Sequence, residues 1–411
     1  MSVTTKLSVS THSERFHDLD AVRAGALLLG VALHTSMSFL EPQVWLIKDA
    51  SSSAGLGMLF YVIHMFRMMT FFVMAGFFAH MLMSKRGLGG FIKNRLIRVG
   101  APLAIFWPIV FASIIAIMII AFAPPPGAPA VAAAPPPPLS AKTFSLTHLW
   151  FLYALLWLYG GAVVLKLVTD VLYIGGILGR MFDTVIGFLT RTDLICAVLI
   201  LPALAALYAN PAWLMWFGIP TPDAGVMINT PALAGFTTAF GFGWFLHRSP
   251  DLLSHLAKRW WAHLPAAAIG TVICLNMVGI TPVITPTKGS DHPLYLALYL
   301  LTGWSWTLGL IGVAHAFLKR ENPVLRYLSD ASYWIYILHI PVVMALQLAV
   351  RNLPGPAELK FAGVLLATVM IGLFTYQIMV RYTFIGAILN GRRRKVKRAS
   401  QGQEAMLGDG A

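Results

Sequence analysis

Ten apolar segments, separated by short polar or Pro/Gly-rich stretches, make up most of this chain. Most come close to the roughly 20 residues that a helix needs to cross a bilayer. The pattern therefore predicts an all-α polytopic membrane protein with about ten transmembrane helices. The fifth segment is the shortest, and Pro202 interrupts it. The segments cover residues 22–41, 57–83, 101–123, 147–168, 193–209, 228–247, 262–281, 293–317, 331–350 and 360–381.

The positions of Lys and Arg predict the orientation of these helices. If the N-terminus is cytoplasmic, only five basic residues fall in the connections on the outer side of the membrane. Arg67 is not one of them, because it lies inside an apolar segment. Those five are Lys48, Lys142, Lys288, Arg351 and Lys360. Because cytoplasmic loops carry an excess of Lys and Arg, we expect both termini to be cytoplasmic.

Composition supports a membrane protein and argues against two other classes. The chain is 58% hydrophobic and 11% charged, with a mean hydropathy of +0.74, whereas soluble domains carry about 25% charged residues. The net charge of +14 does not indicate nucleic acid, because its densest part, GRRRKVKR at 391–398, directly follows the last apolar segment. We interpret that cluster as a cytoplasmic anchor beside the lipid bilayer. Cys196 and Cys274 form neither a disulfide framework nor a metal-site spacing, so we expect no bound metal.

These patterns divide the chain into three parts. We expect a cytoplasmic N-terminal segment at 1–21, a transmembrane domain at 22–381, and a basic cytoplasmic tail at 382–411. Within the transmembrane domain, the Pro- and Ala-rich residues 124–138 are predicted to form an extended outer loop.

Ionisable residues on the first apolar segment are the first candidates for chemistry. Arg23 and His34 lie eleven positions apart, which is about 16 Å along a helix. If Arg23 lies at one membrane face, His34 lies near the midplane. A histidine at that depth is a candidate general base, although a helix–helix hydrogen bond would also explain it. Arg23 can in addition pair with Asp20 one turn away.

Two later segments add ionisable groups at a similar depth. His64 and Arg67 lie three positions apart on the second segment and so share one helical face. His339 lies a few residues into the ninth segment, just before Pro341, which leaves a backbone carbonyl without its helical partner. We expect these three side chains to line or support a polar cavity, while structural hydrogen bonds remain the alternative for each.

An arginine pair follows the second apolar segment. Arg95 and Arg98 form an R-x-x-R motif on a basic stretch at the predicted cytoplasmic surface. Two guanidinium groups on one face are suited to a phosphorylated ligand, since Arg matches phosphate geometry with paired donors. By itself, however, the motif favours the ordinary explanation, which is anchoring at the cytoplasmic membrane surface.

Together, these stretches resemble the membrane-bound acyltransferase 3 family, most closely its branch of glucans biosynthesis protein C. The resemblance depends on the spacing of Arg23 and His34 in combination with the later R-x-x-R motif, whereas the middle of the chain, 165–320, matches poorly. The stretches that carry it are 15–34, 64–103, 148–156 and 332–341.

The resemblance implies an enzyme of the bacterial inner membrane. It would transfer an acyl group, acetyl or succinyl, from cytoplasmic acyl-CoA to a hydroxyl of an extracytoplasmic carbohydrate, such as a periplasmic glucan or surface polysaccharide. His34 and Arg23 would then be catalytic, and Arg95 and Arg98 would bind acyl-CoA. Acyl-CoA is the donor substrate, and no bound cofactor is expected.

Two other functions remain open from the residues alone. A secondary transporter could use the same buried histidines and arginine as a relay, although no inverted repeat is evident. A polysaccharide polymerase or ligase would need a lipid-linked donor, which suits the R-x-x-R pair less well. The sequence does not identify the acyl group, the carbohydrate or the oligomeric state.

Overall fold

The computed structural model describes residues 16–123, 140–286 and 292–391. Its elements are helices, which confirms the predicted all-α class. The Pro-rich segment 124–138 and most of the basic tail lie outside the described residues. The helices, in chain order, are α1 (His17–Ser36), α2 (Ala54–Arg95), α3 (Ala101–Ala121), α4 (Trp150–Val171), α5 (Gly175–Arg191), α6 (Ile195–Leu199), α7 (Leu201–Tyr208), α8 (Thr230–Arg248), α9 (Asp251–Val278), α10 (His292–Phe317), α11 (Pro323–Val350), α12 (Ala357–Thr375) and α13 (Phe384–Leu389).

Each predicted apolar segment corresponds to a helix or a pair of helices. The fifth, which contains Pro202, forms the two short helices α6 and α7. Among the described residues, seven helical stretches are long and apolar enough to cross a membrane, and one of them, Ala54–Ala121, contains both α2 and α3. Large apolar side chains such as Ile119 and Phe374 project outward, 67% exposed each, as expected for a surface that faces lipid.

Helix α5, which lies between the fourth and fifth segments, is amphipathic and was not predicted. Two ion pairs attach it to the ends of neighbouring helices. Arg248 at the end of α8 donates two hydrogen bonds to the Asp183 carboxylate, and Arg191 contacts Asp251 at the start of α9. Because α5 is short and carries charges on one face, hydropathy alone does not detect it as a separate element.

Helix α1 has an interior position in the bundle. It packs against α2, α10, α11 and α12. A second, smaller core joins α1 to α11 and α12 through Val31, Ile335 and Val364. A residue on α1 is therefore surrounded by side chains from distant parts of the sequence.

Helices α2 and α8 cross at very short range because glycines face each other's backbone. A Cβ added to Gly243 would lie 1.9 Å from the carbonyl oxygen of Val73, and one added to Gly76 would lie 1.9 Å from that of Phe240. Small residues allow this approach, and close backbone packing is a principal source of helix association in lipid. The crossing fixes the part of α2 that precedes Gly87, where a φ of +65° kinks the helix before the R-x-x-R motif.

We predict that Gly243→Ala destabilises the protein by about 1–3 kcal/mol, because the added methyl forces the two backbones apart. The measurement is the midpoint of thermal unfolding of the purified protein in detergent. Gly241→Ala is the matched control on the same helix, since its Cβ would meet nothing within 4 Å. Equal midpoints for the two variants would contradict the close crossing.

Candidate active site

His34 lies in the last turn of α1, next to the rings of Trp45 and His339. Its imidazole is 5.6 Å from the Trp45 indole and 5.3 Å from the His339 imidazole, measured between ring centroids. The Nδ1 atom of His34 is buried and has no hydrogen-bond partner among the described residues. Such a nitrogen is free to exchange a proton with a bound ligand.

Gln347 holds the end of α1 in place. This amide is 1% exposed, and its Nε2 donates to the backbone carbonyls of His34, at 3.1 Å, and of Thr35, at 3.2 Å. Its Oε1 accepts a hydrogen bond of 2.9 Å from Trp45 Nε1. The last carbonyls of a helix lack intrahelical partners, so Gln347 acts as a cap contributed by α11. Gln347 was not among the predicted site residues, although an amide within the apolar stretch PVVMALQLAV was the available signal.

His339 was predicted to support a polar cavity, and the structure places it beside His34. Its Nδ1 lies 2.7 Å from the carbonyl oxygen of Tyr336. A carbonyl only accepts hydrogen bonds, so Nδ1 must carry the proton in the neutral ring. The other nitrogen, Nε2, is buried without a partner in the described part of the chain.

His148, which the sequence analysis left aside, also joins this group. It lies in the single 3₁₀ turn Thr147–Leu149 before α4, with its ring 4.8 Å from that of His339. Its Nε2 is 3.0 Å from the Tyr336 carbonyl oxygen and 3.1 Å from that of Ile337. No local pattern indicated this contact, because its partners lie 188 and 189 residues further along the chain.

Arg67 adds a positive charge to the cluster. Its side chain packs against Gly30 of α1, where an added Cβ would lie 2.4 Å from Nη1. The residue is 9% exposed, its Nε has no hydrogen-bond partner, and no carboxylate in the described ranges lies within salt-bridge distance. Burying a cation without a counter-ion is costly, so this position favours a ligand that brings or develops negative charge.

The predicted residue His64 lies one turn before Arg67 and stacks on Phe60, with ring centroids 5.3 Å apart. Its Nδ1 is buried without a partner in the described structure. Four charged or titratable side chains lie close enough to His34 to act on it electrostatically. They are His64, Arg67, His148 and His339. The fold thus brings together three of the predicted residues with His34 and adds His148.

Arg23 lies near the start of α1, at the opposite end of the helix from His34. Its guanidinium is 3.1 Å from Asp20 Oδ1 and 3.1 Å from Ser329 Oγ, and it lies over the Phe78 ring at 5.6 Å. Because Arg23 and His34 occupy one continuous helix, about 16 Å separates them along its axis. The structure therefore keeps these two residues apart, at the separation that their spacing on one helix predicts.

The R-x-x-R motif lies at the same end of α1 as Arg23. The Arg95 guanidinium lies over the rings of Phe91, at 5.5 Å, and Tyr159, at 4.9 Å. Arg98 occupies a π-helical turn at 96–100 that links α2 to α3. The charges of Arg23, Arg86 and Arg95 act on Arg98. These four arginines, which we call the arginine cluster, form a site suited to an anionic ligand.

A comparison with protein families decides the general class. The family model described as an acyltransferase domain, that of the acyltransferase 3 family, matches residues 16–379. The chain belongs to this family. It is a membrane acyltransferase, and the match includes His34, His148, His339 and the arginine cluster.

Curated relatives give a narrower, more distant similarity. Glucans biosynthesis protein C of Salmonella paratyphi B is 23% identical over 93% of this chain and 96% of the relative. The protein of the same name from Escherichia coli K12 is 37% identical over 91 residues, which is 22% of this chain and 23% of the relative. This second match thus spans about a quarter of the relative's length. No solved structure matches the chain.

We predict that Gly30→Ala lowers acyl transfer at least about tenfold, because the new methyl displaces the Arg67 guanidinium from the cluster. Initial rates of acyl transfer by the purified protein provide the measurement, with thermal unfolding as a check on the fold. Gly25→Ala is the control on the same helix, since its Cβ would meet nothing within 4 Å. A Gly30→Ala rate equal to that of Gly25→Ala would show that the position of Arg67 is unimportant.

Proposed function

We propose that this acyltransferase moves an acyl group from cytoplasmic acyl-CoA to a hydroxyl of an extracytoplasmic carbohydrate. The observation that carries the proposal is the cluster of His34, His148 and His339 beside Arg67, joined by a single helix to the arginine cluster. The first group offers bare base nitrogens and an unpaired cation, and the second offers guanidinium groups for phosphates. The name shared by the relatives supports a glucan as the carbohydrate.

The proposed topology follows the charge pattern. We infer ten membrane crossings in the bacterial inner membrane, with α6 and α7 together forming the fifth and both termini cytoplasmic. In this arrangement the arginine cluster faces the cytoplasm, where CoA thioesters are found. The pantetheine arm of the donor would extend beside α1 toward His34, over the roughly 16 Å that separate Arg23 from His34.

In the proposed reaction, His34 removes the proton from the carbohydrate hydroxyl. The hydroxyl oxygen then bonds to the thioester carbon, the carbon–sulfur bond breaks, and His34 returns the proton to the CoA sulfur. Arg67, with His64 beside it, lies where it can stabilise the oxyanion that develops on the carbonyl oxygen. An acyl-histidine intermediate on His34 is the variant of this scheme, and it uses the same residues.

The catalytic role expected for Arg23 stays a prediction, and its position favours a part in donor binding. Its contacts with Asp20 and Ser329 hold the guanidinium beside Arg95 and Arg98 rather than beside His34. A transporter would need no such site for CoA phosphates, and the family match gives that alternative no support.

We predict that His34→Ala abolishes release of free CoA thiol, because the side chain that takes the hydroxyl proton and returns it to the CoA sulfur in the proposed reaction is then absent. The assay supplies the purified protein with acetyl-CoA or succinyl-CoA, with and without added glucan, and follows the thiol. The donor that turns over identifies the acyl group. Turnover that persists in His34→Ala would remove this histidine from the mechanism. No turnover of either donor by the wild type, even with glucan, would overturn the proposed reaction.

We predict that Arg98→Ala raises the KM for acyl-CoA about tenfold or more, since it removes a charge-assisted contact with phosphate. The kcat should change far less, because the reacting atoms lie at the other end of α1. Lys93→Ala is the control, as it removes an exposed positive charge from the same stretch. If both variants raise KM equally, the effect belongs to general surface charge and not to the arginine cluster.

A further inference from the structure

We propose that His148 is a positioning residue for acyl transfer, which holds His339 with its bare nitrogen available to His34. This inference deepens the proposed function and rests on it. It concerns a residue on the turn before α4, outside the R-x-x-R motif and outside the Arg23–His34 pattern.

The hydrogen bonds determine the tautomers of both rings. His148 Nε2 lies within 3.1 Å of two carbonyl oxygens, those of Tyr336 and Ile337, so this nitrogen is the donor and carries the proton. His339 Nδ1 donates to the Tyr336 carbonyl for the same reason. The remaining nitrogens, His148 Nδ1 and His339 Nε2, are consequently bare, buried and without partners among the described residues.

Pro341 makes this arrangement possible. In a regular helix the Ile337 carbonyl would accept from the backbone N–H four residues later, but that residue is Pro341, which has none. The His148 side chain supplies the missing donor. The contact is reciprocal, because the Tyr336 hydroxyl donates to the His148 backbone carbonyl at 2.8 Å.

The backbone before His148 is strained into position. Thr147 has a φ of +52°, a conformation that β-branched residues rarely adopt. Such outliers persist where surrounding contacts over-determine them, and they are frequent at functional sites. The double contact between His148 and Tyr336 is the interaction that holds this turn against α11.

His339 then has a specific task in the reaction. When His34 takes the proton from the carbohydrate hydroxyl, it gains an N–H and a positive charge. The lone pair of the bare His339 Nε2, on a ring whose centroid lies 5.3 Å from that of His34, stabilises that positive charge until the proton passes to the CoA sulfur. Without the His148 contact, the turn of α11 that carries His339 loses its external support.

The test compares three substitutions of His148 in the purified, full-length protein. A Gln amide nitrogen can occupy the place of Nε2 and still donate to the carbonyls, whereas Asn is too short to reach them and Phe has no donor. We expect His148→Phe and His148→Asn to lower kcat about 10- to 100-fold with little change in the KM for acyl-CoA. His148→Gln should restore kcat to within about threefold of wild type, as expected when a geometric contact is retained.

Two outcomes would overturn the proposal. One is a wild-type kcat in His148→Phe. The other is a loss in His148→Gln as large as in His148→Phe, which would mean that the ring itself takes part in proton transfer.

A spectroscopic measurement keeps this test separate from the proposed function. Nitrogen-15 NMR of histidine-labelled protein should show His148 protonated at Nε2 and His339 protonated at Nδ1, assigned by loss of each signal in the His148→Gln and His339→Gln variants. If the wild type turns over no acyl-CoA, the proposed function fails. The tautomers can still be measured in that case, and they show whether His148 and His339 are hydrogen-bonded as described. The opposite tautomer at either histidine would refute the arrangement whatever the activity.

Discussion

Polar groups buried inside this bundle have to find partners within the protein, because the surrounding lipid offers none. The structure meets this constraint with contacts between distant helices. Gln347 of α11 satisfies the last carbonyls of α1, and His148 satisfies the carbonyl that Pro341 leaves free on α11. Lys360 similarly pairs with the buried Asp49 at 2.7 Å, which joins α12 to the loop after α1.

Several of the buried polar atoms that lack partners lie together. Side-chain nitrogens of His34, His64, Arg67, His148 and His339 lack partners in the described residues, and the other four side chains lie close enough to His34 to act on it electrostatically. Leaving buried donors or acceptors unpaired costs about 1–3 kcal/mol each. In the proposed mechanism, this cost is offset when the substrates pair with these groups.

Helix α1 connects the two chemical ends of the molecule. Its first turns contribute Arg23 to the arginine cluster, and its last turn places His34 beside His339. The Arg67 guanidinium lies against the middle of this helix at Gly30, where only glycine is small enough to leave room for it. One rigid element thus sets the distance between donor-phosphate binding and acyl transfer in the proposed mechanism.

The sequence by itself determined the all-α class, the apolar segments and the residues worth examining, because hydropathy and helical spacing are local properties. It also identified Pro341 as the source of a free carbonyl and Pro202 as a break in the fifth segment. Only the tertiary structure decided which groups meet. His148 reaches a carbonyl 189 residues away, and Gln347 reaches one 313 residues away. Such partnerships depend on how helices pack, and no local pattern of residues encodes them.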